Sequence, residues 1–389
     1  MRRRAATSGA AVRMLIGIGS AIAILSAPSA IPRAEAIPDP FPRGLFPPDV
    51  TQQLETTIKQ IITDNNLPGV AVEVVIPGKG RYVFVGGIAD IQTGAPRRVS
   101  QPFRIASLTK TFVATAVLQL VDRGRLHKAD LLAKWFPDFP NADKITVDDL
   151  LRMRSGIAAP SDEELNAAVY DNPTMPAPAL AELMAESTAL RVQFKPPNQE
   201  GVYTSLNYFM LGGIVQRITG HDVGVFITRN IIRRLGLRQT SYPTGKDLPG
   251  GLHGYGLNPR TEVLEDKTVL NPALGGPAGA MNSSLADLTR YVRVLCTGGL
   301  LQPETQQARM QGQVLTGTNA DYGEGVITGP MACGHSGTIP GFNTDMYYFA
   351  NIDATLIINV NRLDRDDKAQ TTPVLKAMTE TLVAQFGKL

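Results

Sequence analysis

Strand patterns at both ends of the chain, separated by a long helical stretch, constrain the fold more than any other feature. Residues 69–76 alternate apolar side chains, and a turn at 77–80 leads to a second strand at 81–87. Further strands are predicted at 322–327, 332–339, 342–349 and 355–360, with short connections that favour antiparallel hairpins. The simplest arrangement joins both ends of the chain into one antiparallel sheet.

Helices are predicted at both ends and throughout the middle. A helix at 51–66 and an amphipathic helix at 373–386 would cover the sheet. Residues 107–123 are apolar nearly all round, which predicts a buried helix. Thr146 and Asp149 resemble a capping box, and further helices are predicted at 178–190, 205–219, 223–235 and 284–296. The predicted fold class is therefore α+β, with an α/β part at about 51–100 and 300–389 and a mostly helical part at about 101–299.

The first 36 residues have the features of a secretory signal peptide. Arg2, Arg3 and Arg4 open a basic region, an apolar stretch follows at 14–27, and Ala34-Glu35-Ala36 is a small-x-small cleavage site. An uncleaved membrane anchor is the alternative on length grounds. A Pro-rich linker is predicted at 37–50, ahead of a single region at 51–389. Cleavage near Ala36 predicts a protein that is secreted or lies in the periplasmic or cell-wall space, with no membrane span in the mature chain.

Composition narrows the classes of function. The 389 residues are 43% hydrophobic and 19% charged, which suits a large buried core. The formal net charge is +3, but residues 1–36 carry five arginines and one glutamate, so the rest of the chain is near −1. That balance argues against a nucleic-acid partner. The histidines show no metal spacing, no cofactor is predicted, and Cys296 and Cys333 either pair or remain two buried thiols.

Ser107 and Lys110 form the only Ser-x-x-Lys sequence in the chain, at the start of the predicted buried helix. Residues three apart share a helix face. The helix dipole and burial both favour a neutral amine in the first turn, so Lys110 is a candidate base toward the Ser107 hydroxyl. The alternative is a helix-capping serine followed by a lysine that reaches solvent.

A second polar motif, Gly334-His335-Ser336-Gly337-Thr338, lies within a predicted strand. A glycine in a strand allows another backbone to approach closely. The hydroxyls of Ser336 and Thr338 are candidates for binding a substrate carboxylate. An edge strand that faces solvent is the alternative.

A third motif, Tyr203-Thr204-Ser205, comes just before a predicted helix. If Tyr203 lies near Lys110, its phenol is suited to relaying protons. Alone, the motif is better explained as a packing tyrosine followed by a helix-capping serine.

The order and spacing of the three motifs resemble the serine β-lactamase and penicillin-binding-protein family, over about residues 50–386. Segments 103–106, 144–151, 275–279 and 322–325 are also similar to stretches of that family. The likeness is greatest to the branch of class C β-lactamases, D-alanyl-D-alanine carboxypeptidases and family VIII esterases. A histidine at the head of the third motif, His335, points to its carboxypeptidase and esterase side.

The resemblance implies a role for each motif residue. It makes Ser107 the acylated nucleophile, Lys110 its base and Tyr203 a proton-transfer partner. The backbone N–H groups of Ser107 and Thr338 would form the oxyanion hole. His335 would stand where many relatives have lysine, with a partial, pH-dependent charge.

Ser205 departs from the resemblance, because the family usually has asparagine at that position. A hydroxyl makes fewer hydrogen bonds than an amide, which weakens the case for recognition of a substrate amide. Ser205, Ser336, Gly337 and Thr338 are the predicted substrate-binding residues.

The resemblance therefore predicts a secreted serine hydrolase, most like a D-alanyl-D-alanine carboxypeptidase acting on peptidoglycan peptides. The alternatives are an esterase of small acyl esters and a penicillin-binding protein with poor turnover. β-Lactams are expected to acylate Ser107 in each case.

Overall fold

The two ends of the chain share one antiparallel sheet. The computed structural model describes residues 44–190, 197–258, 261–316, 318, 320–366 and 368–387, so the predicted signal peptide and most of the predicted linker lie outside the described residues. Strand β1 (Gly69–Ile76) pairs with β2 (Gly80–Asp90) on one side and with β13 (Ala354–Val360) on the other. Val70 lies opposite Val360, which joins the first strand to the last and confirms the predicted topology.

The remaining strands extend this sheet in both directions. Within the described residues the sheet has nine strands, in the order β3-β2-β1-β13-β12-β11-β10-β9-β8. Two two-stranded ribbons, β4 with β7 and β5 with β6, lie outside it. The further strands are β3 (Ala95–Pro96), β4 (Phe103–Arg104), β5 (Tyr255–Leu257), β6 (Leu264–Asp266), β7 (Asn282–Ser283), β8 (Gln313–Val314), β9 (Asp321–Tyr322), β10 (Ile327–Thr328), β11 (Cys333–Ile339) and β12 (Phe342–Phe349).

Most of the predicted helices are present within a few residues of their predicted ends. The helices are α1 (Pro48–Asp64), α2 (Thr109–Asp122), α3 (Val147–Leu151), α4 (Asp162–Asp171), α5 (Leu180–Ala189), α6 (Leu206–Thr219), α7 (Val223–Ile227), α8 (Arg233–Leu235), α9 (Gly276–Gly279), α10 (Leu285–Thr297), α11 (Pro303–Arg309) and α12 (Thr372–Phe386). The capping box of Thr146 and Asp149 is confirmed at the start of α3. None of the helices in the described part of the chain is long and apolar enough to cross a membrane.

Two of the predicted elements have a different form in the structure, and the helices α4 and α11 were not predicted. The strand predicted at 322–327 is broken into β9 and β10 by a turn at Gly325, whose φ of 76° only glycine adopts readily. The Gly325 N–H donates to the Leu151 carbonyl instead of to a neighbouring strand. The helix predicted at 223–235 contains a π-helical segment, Thr228–Ile232, between α7 and α8.

The core lies on both faces of the sheet. The alternating side chains Val70, Val72, Val74 and Ile76 pack with α1 and α12, as their period of two predicts. The other face of β1 is also buried, because α10 packs across it. A sheet covered on both faces forms a rigid support for residues at its edge.

A disulfide ties α10 to the sheet. Cys296 near the end of α10 bonds to Cys333 at the start of β11, with Cα atoms 6.0 Å apart. Of the two alternatives that the sequence leaves open, the structure therefore contains the paired one. The two cysteines meet because α10 crosses the sheet and ends beside the first residue of β11.

Candidate active site

Ser107 lies in a tight turn that enters the buried helix α2. Residues Ala106–Leu108 form a 3₁₀ turn, and Ala106 has a φ of 47°, a left-handed conformation that costs energy for a residue other than glycine. The Ile105 N–H donates to the Met281 carbonyl, which holds the turn from behind. The Ser107 side chain is half-buried, so it can meet a substrate.

Lys110 lies one turn further along, completely buried behind the serine. Its Nζ atom is 2.9 Å from Ser107 Oγ and 3.3 Å from the Ala278 carbonyl oxygen. The lysine does not reach solvent and Ser107 does not cap α2, so the alternative reading of this motif is wrong. A proton can pass directly between the Ser107 hydroxyl and the Lys110 amine at this distance.

Tyr203 closes the other side of this pair. Lys110 Nζ lies 4.8 Å from the centre of the Tyr203 ring, and the ring packs edge-on against Tyr322 at 5.9 Å. Ser205 lines the cleft and makes no capping hydrogen bond to α6, so the capping alternative is also wrong. Two motifs that are far apart in the sequence therefore meet around one hydroxyl.

Strand β11 passes directly beside the Ser107 turn. A Cβ atom added to Gly337 would lie 2.4 Å from the Ile105 carbonyl oxygen and 3.0 Å from the Ser107 nitrogen, so only glycine fits there. Thr338 follows Gly337 and lines the cleft. This approach brings β11 at Gly337 close to the Ser107 nitrogen, and an oxyanion hole formed by the N–H groups of Ser107 and Thr338 stays a prediction.

Ser336 lies on the opposite face of β11 from His335. It pairs across the sheet with Asp345 on β12, and its hydroxyl interacts with the Tyr347 phenol. Burial raises the pKa of Asp345 to about 6, so its carboxyl is ionised near neutral pH. An ionised Asp345 carboxyl on this face would repel a substrate carboxylate. Binding of a substrate carboxylate by Ser336 stays a prediction.

His335 corrects the sequence expectation of a pH-dependent charge. The side chain is only 2% exposed, and burial, followed by the nearby charge of Lys110, lowers its pKa to about 3. Its Nδ1 is 2.5 Å from the Ser336 carbonyl oxygen, which can only accept, so Nδ1 donates. Nε2 then accepts from the Tyr322 hydroxyl at 3.2 Å. His335 is therefore a neutral part of the hydrogen-bond network behind Tyr203, because burial disfavours the charged imidazolium.

An apolar cleft of about 140 Å³ opens in front of Ser107. Its walls come from α4, α5, α6, the 273–279 loop and β11, with Leu165, Val169, Met175, Leu183, Phe209, Leu274 and Ile339 among the lining side chains. Sequence reasoning missed the α4 and α5 wall, because apolar residues on a helix look the same whether they line a core or a cleft. It also missed Asn166 on α4, whose Nδ2 lies 3.4 Å from Thr338 Oγ1.

Asn207 lies close in sequence to the position where the family usually has asparagine. Asn207 accepts from Ser155 Oγ at 2.6 Å inside the protein, so it does not replace the missing asparagine at position 205. In the described part of the chain, no group of three or more His, Cys, Asp or Glu residues is placed to hold a metal ion.

The fold and the arrangement of Ser107, Lys110 and Tyr203 define a serine hydrolase of the β-lactamase and penicillin-binding-protein type. The Beta-lactamase family model matches residues 54–379, so the chain belongs to that family. This confirms the resemblance and the α+β fold class that the motifs predicted.

The individual relatives reported next have low sequence identity to this chain. The chain is 24% identical over 321 residues to the "Putative penicillin-binding protein PbpX" of Bacillus subtilis (strain 168), covering 82% of this chain and 76% of the relative. It is 28% identical over 254 residues to "Protein flp" of Staphylococcus aureus (strain MW2), covering 63% of this chain and 49% of flp. The chain thus spans about half the length of the flp relatives. A D-stereospecific amidohydrolase from Streptomyces sp. has the same fold, with a TM-score of 0.73, 24% identity and coverage of 84% of this chain and 98% of that one.

Proposed function

We propose that this protein hydrolyses uncharged esters with a small apolar acyl group, through an acyl-enzyme on Ser107. The observation that carries the proposal is the 2.9 Å contact between Ser107 Oγ and Lys110 Nζ at the end of an apolar cleft. The cleft volume of about 140 Å³ is close to that of an engineered apolar cavity of about 150 Å³ that binds benzene. An acyl group about the size of one ring therefore fits in front of the nucleophile.

Each reaction step uses a group already at the site. The Lys110 amine takes the Ser107 proton as Oγ attacks the acyl carbonyl, and the N–H groups of Ser107 and Thr338 stabilise the oxyanion. The proton returns to the leaving alkoxide through Lys110 or Tyr203, and the ester bond breaks. Water then attacks the acyl-enzyme with the same base, which releases the acid and restores Ser107.

The charges around the cleft favour an ester over a substrate with a free carboxylate. His335 is neutral, and Glu186 is the ionisable side chain among the described residues that line the cleft. Ser205 replaces the amide that many relatives use. A carboxylate entering this cleft would therefore lose hydration with little charge compensation.

The predicted D-alanyl-D-alanine carboxypeptidase activity on peptidoglycan peptides is the second candidate. The similarity to the penicillin-binding protein PbpX supports it. For either activity we propose that the chain works outside the cytoplasm after cleavage near Ala36. The Cys296–Cys333 disulfide supports export, because disulfides persist mainly in oxidising compartments.

Labelling and turnover experiments test the proposal together. A fluorophosphonate probe should modify wild type and the control Ser100→Ala but not Ser107→Ala. Lys110→Ala should lower kcat/KM for p-nitrophenyl butyrate at least a hundredfold, since a positioned base contributes about 10²–10⁴-fold, whereas the exposed Lys79→Ala should not. Labelling that persists in Ser107→Ala would rule out Ser107 as the nucleophile.

The substrate class is decided by comparing three acyl donors. We expect efficient hydrolysis of p-nitrophenyl butyrate, slow release of D-alanine from a D-Ala-D-Ala peptide, and slow acylation by a fluorescent penicillin. A higher kcat/KM for the peptide than for the ester would reject the esterase assignment and favour the carboxypeptidase.

A further inference from the structure

One surface of the helical region carries a group of arginines without carboxylate partners. We call it the arginine face: Arg123 and Arg125, which follow α2, and Arg229, Arg233 and Arg234, in the π-helical segment and α8. All five side chains are exposed. The chain without residues 1–36 is close to neutral, so this is a local concentration of charge and not a property of the whole protein.

Arg123 joins the two segments that form the face. Its Nη2 donates to Asn230 Oδ1 at 2.9 Å, and its guanidinium lies 5.2 Å from the centre of the Phe226 ring. Burial, and then the positive charges of Arg125 and Arg234, lower the pKa of Arg123. Arg123 is therefore close enough to Arg125 and Arg234 for their positive charges to repel.

The described residues place no carboxylate within salt-bridge distance of these five side chains. Arg125 donates to the Ile218 carbonyl at 2.6 Å and Arg234 to the Gly299 carbonyl at 3.1 Å, both neutral acceptors. Asp122, the adjacent acid, accepts from the Gln302 N–H at 2.9 Å and from the Thr305 hydroxyl, and its charge only partly offsets those of Arg125 and Arg234 at Arg123.

Some arginines elsewhere on the surface do have carboxylate partners. The pairs include Arg293 with Asp353 at 2.6 Å and Arg365 with Asp171 at 2.8 Å. Repulsion among arginines that are clustered on one face is a cost that an external anion would lower.

The face lies at the opposite end of α2 from the nucleophile. Ser107 and Arg123 are sixteen residues apart along this helix, or about 24 Å at about 1.5 Å per residue. A partner bound to the arginine face would therefore leave the cleft open.

We propose that the arginine face binds the anionic headgroups of a phospholipid bilayer. Guanidinium groups match phosphate oxygens in a two-pronged geometry, and clustered arginines are attracted to an anionic membrane surface within a Debye length. Val225 is 37% exposed and lies one turn before Arg229, which adds an apolar contact suited to the headgroup boundary. A dissolved polyanion has no apolar region that would pack against Val225.

Vesicle co-sedimentation of the full chain tests the proposal. Phosphatidylcholine vesicles with and without phosphatidylglycerol are compared in low and high salt, using wild type, Arg229→Gln/Arg233→Gln/Arg234→Gln, and a control triple variant, Lys79→Gln/Arg98→Gln/Lys144→Gln. The control removes the same charge from exposed positions elsewhere. Thermal unfolding and ester hydrolysis are measured on each protein, and we expect all three to be equally folded and active.

The arginine-face variant should lose phosphatidylglycerol-dependent binding at least tenfold, and the control should lose less than threefold. Binding by wild type should also fall in 1 M salt, where the Debye length is about 3 Å. Equal losses in the two variants, or binding that is independent of phosphatidylglycerol and salt, would overturn the proposal. Binding of inorganic polyphosphate without binding to the vesicles would overturn it in favour of a dissolved polyanion.

Discussion

The imidazole of His335 and the carboxyl of Asp345 are both buried on the strands beside Ser107. Burial lowers the pKa of His335 to about 3 and raises that of Asp345 to about 6. Desolvation disfavours the charged form of each group, so the two shifts have opposite signs. Their effects on the pH dependence of stability therefore partly cancel in wild type, and single substitutions are needed to separate them.

Replacing His335 by Gln should reduce the sensitivity of the fold to acid. The folded pKa of His335 lies below the unfolded value of about 6.5, so the unfolded chain binds the extra proton as pH falls. This histidine should cost wild type up to about 1.4 kcal/mol of stability per pH unit between pH 6 and 4, and the variant should lack that loss. Urea unfolding from pH 4 to 7 measures it, with the exposed His221→Gln as control. Parallel curves for wild type and His335→Gln would show that the imidazole protonates freely in the folded state.

Replacing Asp345 by Asn should stabilise the protein at high pH only. The folded pKa of about 6 lies above the unfolded value of about 3.9. The ionised carboxyl therefore lowers the stability of the fold by its full amount well above pH 6 and not at all below about pH 4. We expect a gain of about 1–3 kcal/mol at pH 8 that disappears at pH 4. Urea unfolding at both pH values tests this, with the exposed Asp143→Asn as control. A gain that is equal at both pH values would indicate a packing effect instead.

At the scale of elements, the site depends on the close contact between β11 and the turn that carries Ser107. Gly337→Ala would place a Cβ atom 2.4 Å from the Ile105 carbonyl oxygen and so push the two backbones apart. A displacement of about 1 Å at a reacting centre can cost about a hundredfold in rate. We expect that loss in kcat for p-nitrophenyl butyrate.

The matched control for Gly337 is Gly329→Ala. An added Cβ atom there meets only the Ala332 carbonyl oxygen, at an ordinary 3.8 Å. Its kcat should stay within a factor of two of wild type. If Gly337→Ala also kept its kcat, the close approach of β11 to the Ser107 turn would not position the Thr338 N–H as an oxyanion donor.

Element positions were predictable where the pattern was local, and unpredictable where a distant residue decided them. The alternation at residues 69–76 predicted the ends of β1 and the face of β1 that packs with α1 and α12. The break at Gly325 depends on the Leu151 carbonyl, far away in the sequence, and no local pattern encodes it. The same holds for His335: its residue type suggested a charge, but its burial beside Lys110 depends on the packed structure.

At the scale of the whole molecule, the fold brings together residues from three distant segments. Ser107, Tyr203 and His335 meet only because the first and last strands pair and the helical middle folds back over one end of the sheet. The sequence revealed these residues through their spacing and family resemblance. It did not reveal the apolar cleft, whose walls come from five separate elements.

Removing the Cys296–Cys333 disulfide should lower the stability of the whole domain without removing its activity. The bond links residues 37 apart, and the chain-entropy relation for a loop of that size gives about 4 kcal/mol. The double variant Cys296→Ala/Cys333→Ala should therefore unfold at lower urea and lower temperature than wild type. Its ester hydrolysis at 25 °C should stay within about threefold, because Gly337 and Thr338 are held by pairing with β12 as well as by the disulfide. Wild type unfolded in a thiol reductant should show the same loss of stability, and the double variant should not respond to the reductant. A variant as stable as oxidised wild type would mean that the packing of α10 on the sheet, and not the covalent link, holds β11 in place.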